Sequence, residues 1–278
     1  MTRAAGMKAL ARDWLPPALV GFAARLRGGG STWAGDYRSW SDALARSTGY
    51  GAASILESVK AAALKVKRGE AVYERDSVLF DEIEYSWPLL AALMWIAARN
   101  RGRLDVVDFG GGLGTTFQQN RRFLADLAEV HWSIVEQPRF VECGREAFES
   151  EHLRFYQSID ACLATRPAET LLLSSTLQYL PDPYAFLDDA SARFRFAIVD
   201  LTPVHAGGRD RLTVQTVPPS IYPARYPCWI FSEERLRTAV LRHWDIVANF
   251  DSSLGQDLRI GRMRARYLGF VLQQRAAS

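Results

Sequence analysis

The sequence predicts an α/β protein with a doubly wound, mostly parallel seven-stranded sheet, an antiparallel last strand and an N-terminal helical cap. Two observations favour the sheet. After Gly102, short β-branched and apolar runs alternate with helical stretches, as parallel βαβ units do. Near the end of the chain, residues 244–250 and 264–272 flank a loop without a helical pattern, so they should pair antiparallel at the sheet edge.

The individual elements have local signals. In the cap, Ser54-Ile-Leu-Glu57 has capping-box spacing, and Trp87-Pro88 opens a second apolar helix. In the sheet region, Asp182-Pro183 joins a capping residue to a proline at the first helical position. The other predicted strands lie at residues 104–109, 130–135, 153–157, 170–174 and 196–200.

These elements divide the 278 residues into three parts. Residues 1–32 form a basic amphipathic tail with a glycine-rich linker, and residues 33–102 form the helical cap. Residues 103–278 form the sheet domain, and residues 203–231 are inserted into it as a lid. This insertion is rich in polar and aromatic residues, which favours a substrate wall over a plain connector.

The charge distribution limits the partners. Residues 1–30 carry a balance of +4 and the remainder −1, so the body has no electrostatic footprint for nucleic acid. Two interpretations of the tail stay open: it docks on the main domain or is disordered, or it lies on an anionic membrane surface.

The cysteine pattern bears on the compartment. Three cysteines without Cys-x-x-Cys spacing indicate neither disulfides nor a metal site, which favours a reducing compartment. No segment is typical of a transmembrane helix or a signal peptide. We therefore expect a cytoplasmic protein, with the tail as its one potential contact with the inner face of the membrane. The oligomeric state is not predicted.

A glycine-rich loop follows the first strand of the predicted sheet. In such sheets ligands bind beyond the carboxyl ends of the strands, and glycines allow the backbone to turn sharply and approach the ligand. A dinucleotide motif would need Gly or Ala where this chain has Thr115, and a phosphate-binding P-loop would need a following Gly-Lys-Ser/Thr. Glu136 ends the second strand, where a carboxylate can accept both hydroxyls of a ribose. The predicted loop residues are Asp108, Gly110, Gly111, Gly112 and Gly114.

These motifs resemble the Rossmann-like methyltransferase superfamily over residues 104–272. More narrowly, the chain is similar to a bacterial methyltransferase family often associated with polysaccharide and lipopolysaccharide gene sets. The motifs that carry this likeness are Asp108-Phe-Gly-Gly-Gly-Leu-Gly, Val135-Glu-Gln, Ser174-Ser-Thr-Leu-Gln-Tyr-Leu and Tyr222-Pro-Ala-Arg-Tyr-Pro-Cys-Trp-Ile-Phe.

The resemblance implies S-adenosyl-L-methionine as cofactor and S-adenosyl-L-homocysteine as product. It implies that the glycine loop holds the methionine part and that Glu136 and Gln137 lie at the ribose. Ser158 and Ile159 would lie near the adenine, and the methyl-transfer side would be lined by Ser174, Ser175 and Gln178. The chain lacks the Asn/Asp-Pro-Pro-Tyr/Phe motif of enzymes that methylate nucleobase amines, which argues against nucleic acid.

The acceptor side is less defined by the sequence. A hydroxyl acceptor benefits from a general base, and His205, after the fifth strand, is the first candidate, with Asp210 and Tyr222 in reserve. The candidate substrate contacts are Tyr73, Asp76, Arg211, Gln215, Arg225, Tyr226 and Trp229.

Three functions stay open on this basis. The first is O-methylation of a small-molecule or glycan hydroxyl. The second is N- or C-methylation of a natural-product scaffold, and the third is a non-catalytic module that binds the cofactor.

Overall fold

The computed structural model describes residues 31–48, 53–75, 77–218, 224–252, 258–261 and 263–275. Its α-helices are Trp40–Leu44 (α1), Ala53–Lys67 (α2), Trp87–Arg99 (α3), Thr115–Leu124 (α4), Pro138–Ala147 (α5), Ile159–Thr165 (α6), Pro183–Ser191 (α7) and Glu233–Val240 (α8). A 3-10 helix covers Leu177–Tyr179. Its strands are Thr32–Tyr37 (β1), Tyr73–Arg75 (β2), Val78–Phe80 (β3), Arg103–Phe109 (β4), Glu129–Val135 (β5), Leu153–Tyr156 (β6), Thr170–Ser174 (β7), Phe196–His205 (β8), Arg211–Val217 (β9), Ala224–Ser232 (β10), Trp244–Asp251 (β11), Leu258–Ile260 (β12) and Met263–Gln274 (β13).

The core of the sheet has the strand order β6-β5-β4-β7-β8-β13-β11. Strands β4 to β8 are parallel, whereas β13 runs antiparallel to both β8 and β11. The predicted fold class, a mostly parallel seven-stranded sheet with an antiparallel last strand, is therefore confirmed. All seven predicted strands are present, with bounds that differ from the prediction mainly where β8 continues to His205.

Helices cover both faces of this sheet. Successive residues of β4 point to opposite faces, so Val106 packs with α2 to α5 on one side and Val107 packs with α6 to α8 on the other. Both valines are fully buried. Two hydrophobic layers thus hold the strand ends in place, which fixes the loops that follow them.

Two of the three predicted helix starts are present as well, whereas the helix predicted to be capped by Ser54 begins at Ala53. The Asp182 side chain accepts a hydrogen bond from the Ala185 backbone N–H at 3.1 Å, and Pro183 occupies the first turn of α7. The apolar helix that Trp87-Pro88 predicts is α3, and it ends at Arg99.

Residues 33–102, predicted as a helical cap, contain strands at two places as well as helices. The segment contains α1, α2 and α3, but β1 pairs antiparallel with β9, and β2 pairs with β3 as a short hairpin. The pairing of β1 is long-range, so its partner lies outside any local window of sequence. Tertiary pairing therefore overrides a local pattern that resembles a helix.

The segment at residues 203–231 continues the sheet beyond the end of β7. The last residues of β8 pair parallel with β10, in the register Phe231↔Val204 and Ser232↔His205. Strand β9 then pairs antiparallel with β10, and β1 closes the outer edge. A three-stranded extension consequently stands beside the loop that follows β7.

One buried contact in this fold gives a stability prediction. A Cβ atom added at Gly144 in α5 would lie 2.4 to 2.6 Å from ring atoms of Phe155, which is 1% exposed. We expect Gly144→Ala to lower the free energy of unfolding by about 1–2 kcal/mol, because overpacking outweighs the gain of about 1 kcal/mol in helix propensity. Urea unfolding measures the change.

The matched control is Gly208→Ala. This glycine has nothing within 4 Å of an added Cβ atom and lies outside the left-handed region, so its substitution should change stability by less than about 0.5 kcal/mol. Equal effects of the two substitutions would contradict the packing assigned to Gly144.

Candidate functional site

The predicted glycine loop joins β4 to α4 and has a backbone that requires glycine. Gly110, Gly112 and Gly114 have φ angles of +77°, +58° and +96°. A Cβ atom at Gly110 would lie 2.7 Å from Thr176 Cγ2, and nothing lies within 4 Å of one at Gly112. The loop is therefore packed against the chain that follows β7, and its Gly112 position faces open space.

Asp108, at the end of β4, anchors this loop from beneath. Its side chain is 1% exposed, and Trp132 Nε1 donates a hydrogen bond to Oδ2 at 2.9 Å. Burial, with a smaller contribution from the charge of Glu136, raises the pKa of the carboxyl group to about 7. A Cβ atom at Gly111 would lie 2.5 Å from this carboxyl group, so Gly111 leaves room for Asp108 and not directly for a ligand.

Glu136 lies directly against the loop, where β5 ends. The Gln137 backbone N–H donates to Glu136 Oε2 at 2.7 Å, and the Gly112 N–H faces the same carboxylate and stabilises its charge. Burial is the larger effect and raises the pKa of Glu136. The Gly110 N–H also donates to the Val135 carbonyl at 2.9 Å. Hydrogen bonds thus join the ends of β4 and β5 into one unit.

The residues predicted at the adenine lie on the same edge of the sheet. Ser158 caps α6, and its Oγ accepts a hydrogen bond from the Ala161 N–H at 3.1 Å. Ile159 begins α6 and is partly buried against the core layer of that face. Both residues follow β6, the neighbour of β5, so they extend the row of side chains that includes Glu136.

The residues predicted on the methyl-transfer side follow β7. Ser174 ends the strand, and Ser175 has a φ of +57°, a strained conformation for a residue other than glycine. Gln178 is 1% exposed, and its Nε2 donates to Ser175 Oγ at 3.2 Å and to the Leu201 carbonyl at 3.3 Å. Its Oε1 is buried and has no hydrogen-bond partner among the described residues. This edge of the site therefore combines backbone strain with an unsatisfied acceptor atom.

One acidic residue at this edge was not among the sequence candidates. Asp200 on β8 lies in register with Ser174 on β7 and is 1% exposed. Its Oδ1 accepts hydrogen bonds from Ser252 Oγ at 2.6 Å and from the Leu201 N–H at 2.7 Å, and burial raises its pKa. Leu201 has a φ of +52°. The signal in the sequence was the position at the end of a predicted strand, the same signal that identified Asp108 and Glu136.

The structure places the predicted base His205 in a different setting. It lies five positions beyond Asp200 and is 8% exposed. Its Nδ1 accepts from the Gly207 N–H and its Nε2 donates to the Arg209 carbonyl, both at 3.0 Å. Burial lowers its pKa. Both ring nitrogens therefore hold the β8–β9 turn closed.

The two reserve candidates do not join the glycine loop either. The Asp210 carboxylate accepts hydrogen bonds from the Ser232 N–H at 2.8 Å and from the Tyr184 hydroxyl at 3.0 Å, so it ties the β8–β9 turn to α8 and α7. Tyr222 lies outside the described residues, as do Asp76 and the basic tail at residues 1–30.

Two of the predicted substrate residues meet on the inner face of the β9–β10 hairpin. Gln215 and Tyr226 are directly opposite one another, and both are buried. The Tyr179 hydroxyl donates to Gln215 Oε1 at 2.8 Å, and its ring lies edge-on to Tyr226 with centroids 5.1 Å apart. Because Tyr179 follows β7, this face of the hairpin adjoins the methyl-transfer side of the candidate site.

The other predicted substrate residues are spread more widely. Tyr73 is buried against Phe80, with ring centroids 5.8 Å apart, and so packs within the cap. Trp229 Nε1 donates to the Leu180 carbonyl at 3.1 Å. Arg211 lies 3.5 Å from the Asp36 carboxylate, whereas Arg225 is exposed.

Two further findings concern metal-binding groups and membrane-spanning helices. Among the described residues, no three His, Cys, Asp or Glu side chains come together in a way that could bind a metal ion. None of the helices in that part of the chain is long and apolar enough to cross a membrane.

The buried Asp108 carboxyl gives a prediction on pH. Its folded-state pKa is about 7, above the unfolded value of about 4, so the stability it contributes is complete below pH 4 and is lost as the pH rises to 7. Asp108→Asn cannot ionise. The stability of this variant relative to wild type should therefore increase between pH 4 and pH 7, by up to about 4 kcal/mol.

Urea unfolding at several pH values, without added ligand, measures this difference. The matched control is Asp126→Asn, which makes the same chemical change at an exposed position. A difference for Asp108→Asn that stays constant with pH would contradict the environment assigned to this carboxyl group.

The chain is similar to several solved structures, whereas no family model and no curated protein matches it. Among solved structures it is similar to the N-terminal domain of EvdMO1, crystallised in the presence of SAH and D-fucose, with 14% identity, coverage of 74% of this chain and 90% of that chain, and a TM-score of 0.45. It is also similar to the glycopeptide N-methyltransferase MtfA complexed with S-adenosyl-L-methionine (12%, 67% and 94%, 0.44) and to the PH0226 protein from Pyrococcus horikoshii (12%, 68% and 90%, 0.42).

Proposed function

We propose that this chain is an S-adenosyl-L-methionine-dependent methyltransferase that methylates a hydroxyl group of a small molecule or glycan. The observation that carries the proposal is the unit formed at the ends of β4 and β5. There the Glu136 carboxylate, a ribose-binding group by position, lies against the Gly112 N–H of a loop that only glycines can form.

The residues at this edge fit such a cofactor. Gly112 faces open space, so the backbone can approach a ligand where a Cβ atom would project into it. The buried Gln178 Oε1 is an acceptor without a partner among the described residues, and such an atom is costly unless a ligand satisfies it. The Glu136 carboxylate can accept further hydrogen bonds besides the one from the Gln137 N–H.

A dinucleotide fits less well. The dinucleotide-binding fold has six parallel strands, whereas here the antiparallel β13 lies between β8 and β11. The loop also carries Thr115 at the third position of the dinucleotide motif, where glycine or alanine is needed. Both departures favour the methyltransferase over a dehydrogenase.

The bound cofactor would supply a methyl group on a cationic sulfonium. Glu136 would accept the ribose hydroxyls, and Ser158 and Ile159 would border the adenine. The backbone of the glycine loop would contact the methionine part, with Asp108 beneath it. Because the loop and the strand ends are held by buried hydrogen bonds, alignment would account for most of the catalysis.

The β9–β10 hairpin would form the acceptor wall. Its inner face presents the Gln215 amide and the Tyr226 ring next to Tyr179, and this mixture of aromatic surface and hydrogen-bonding groups suits a hydroxylated ring. The wall would also exclude water from the reacting atoms.

The proton of the hydroxyl acceptor needs a base, and the contacts favour Asp200 over His205. Asp200 lies in register with Ser174 at the carboxyl edge, and its Oδ2 has no hydrogen-bond partner among the residues described. Its raised pKa makes it a stronger base than an ordinary carboxylate. The ring nitrogens of His205 are both occupied in the β8–β9 turn.

The cofactor assignment predicts a loss of affinity in Glu136→Ala. The variant should bind S-adenosyl-L-methionine more weakly by about 1.5–3 kcal/mol, the usual value for hydrogen bonds to a charged group. Isothermal titration calorimetry measures the difference, with Glu142→Ala on the exposed side of α5 as the control. A loss of only a few tenths of a kcal/mol would place the ribose contact elsewhere.

The base assignment predicts opposite results for two variants. Asp200→Asn should lower kcat by roughly 10²–10⁴ and remove the acidic limb of the pH profile while the cofactor Kd stays within about twofold. His205→Ala should retain more than about a third of wild-type kcat, because its bonds hold a turn. Release of S-adenosyl-L-homocysteine with a panel of hydroxylated acceptors provides the assay. The reverse ranking of the two variants would restore His205 as the base.

A further inference from the structure

A cluster of arginines lies at the end of the sheet opposite the glycine loop. They line a cavity of about 600 Å³ at the amino ends of β4, β5, β7 and β8, which we call the arginine cleft. Its charged lining consists of Arg99, Arg101, Arg103, Arg166, Arg195, Asp105, Glu129, Glu169 and His131. Five guanidinium groups from three separate turns therefore face three carboxylates.

The carboxylates of the cleft already have partners. Arg103 Nε lies 3.0 Å from Glu129 Oε2, and Arg195 Nη1 lies 3.4 Å from Glu169 Oε2. The third carboxylate, Asp105, accepts from His131 Nδ1 at 2.8 Å. These pairs neutralise two of the five arginines.

The other three arginines have no ion pair in the part of the chain that the structure describes. Arg99 lies over the ring of Trp95 at 5.3 Å, a contact that orients its guanidinium without neutralising it. Burial raises the pKa of Asp105, and the charges of Arg103 and Arg166 oppose this effect. Arg166 is nevertheless not within 4 Å of any carboxylate in the described residues. Arg101 is exposed in the turn between α3 and β4.

Arg101 occupies a position that favours glycine. The Gly102 N–H donates to the Ala97 carbonyl at 2.8 Å, the bond that closes a Schellman motif at the end of α3. Arg101 is the residue in the left-handed conformation of this motif, with a φ of +58°. An arginine is strained there, so its presence at the rim of the cleft has a cost in stability that a structural role does not explain.

We infer that the arginine cleft binds a soluble ligand with a diphosphate or similar polyanionic group. A planar guanidinium group can donate two parallel hydrogen bonds to the oxygens of one phosphate. Three guanidinium groups without an ion pair, on two sides of a cavity, therefore match more than one phosphate charge. The volume of the cleft is that of a small-molecule site, so a free molecule fits it. This inference is independent of the proposed methyltransferase function.

Inorganic pyrophosphate is the probe that tests this site on the full chain. Calorimetry near physiological salt should show saturable binding, and Arg166→Ala and Arg101→Gly should each raise the Kd at least tenfold. The control Arg122→Ala, at an exposed position on α4, should leave the Kd within twofold. If pyrophosphate binds the basic N-terminal tail instead, none of the three substitutions should change the Kd. That result would overturn the inference.

Arg101→Gly separates binding from folding. Glycine relieves the strain at this position, so the melting temperature should stay the same or rise by a few degrees while pyrophosphate binding weakens. Loss of binding together with a lower melting temperature in both arginine variants would contradict a ligand role. Arginine-dependent binding to anionic phospholipid vesicles without binding of pyrophosphate would identify a membrane contact instead and would also overturn the inference.

Discussion

The candidate site depends on the buried carboxyl group of Asp108. Trp132 holds it in place by a hydrogen bond, and the carboxyl group occupies the volume where a side chain at Gly111 would lie. The loop turns through three left-handed glycines, and the Gly110 and Gly112 amides face Val135 and Glu136 at the end of β5. The buried carboxyl group thus supports the loop whose amides meet Glu136.

Several costly features lie at this edge of the sheet. A carboxyl group with a pKa near 7, left-handed backbone at Ser175 and Leu201, and the unsatisfied Gln178 Oε1 all occur within a few residues of the strand ends. Strain and buried titratable groups are typical of sites kept for a ligand.

Much of this could be predicted from the sequence because it depends on local order along the chain. Short apolar runs that alternate with helical patterns predicted the sheet. The position at the end of a predicted strand identified Asp108 and Glu136. What could not be predicted depends on distant partners. Strand β1 forms because it pairs with β9. His205 Nδ1 is engaged because the turn brings the Gly207 N–H onto the ring. Asp200 was missed although its position at a predicted strand end carried the same signal.

The most direct test of the central claim is calorimetric titration of the full chain with S-adenosyl-L-methionine, alongside NAD. The account predicts saturable one-to-one binding of S-adenosyl-L-methionine, no binding of NAD, and loss of binding in Gly112→Val, whose side chain would fill the open space in front of the loop. Undiminished binding in a folded Gly112→Val variant, or binding of NAD in place of S-adenosyl-L-methionine, would contradict it.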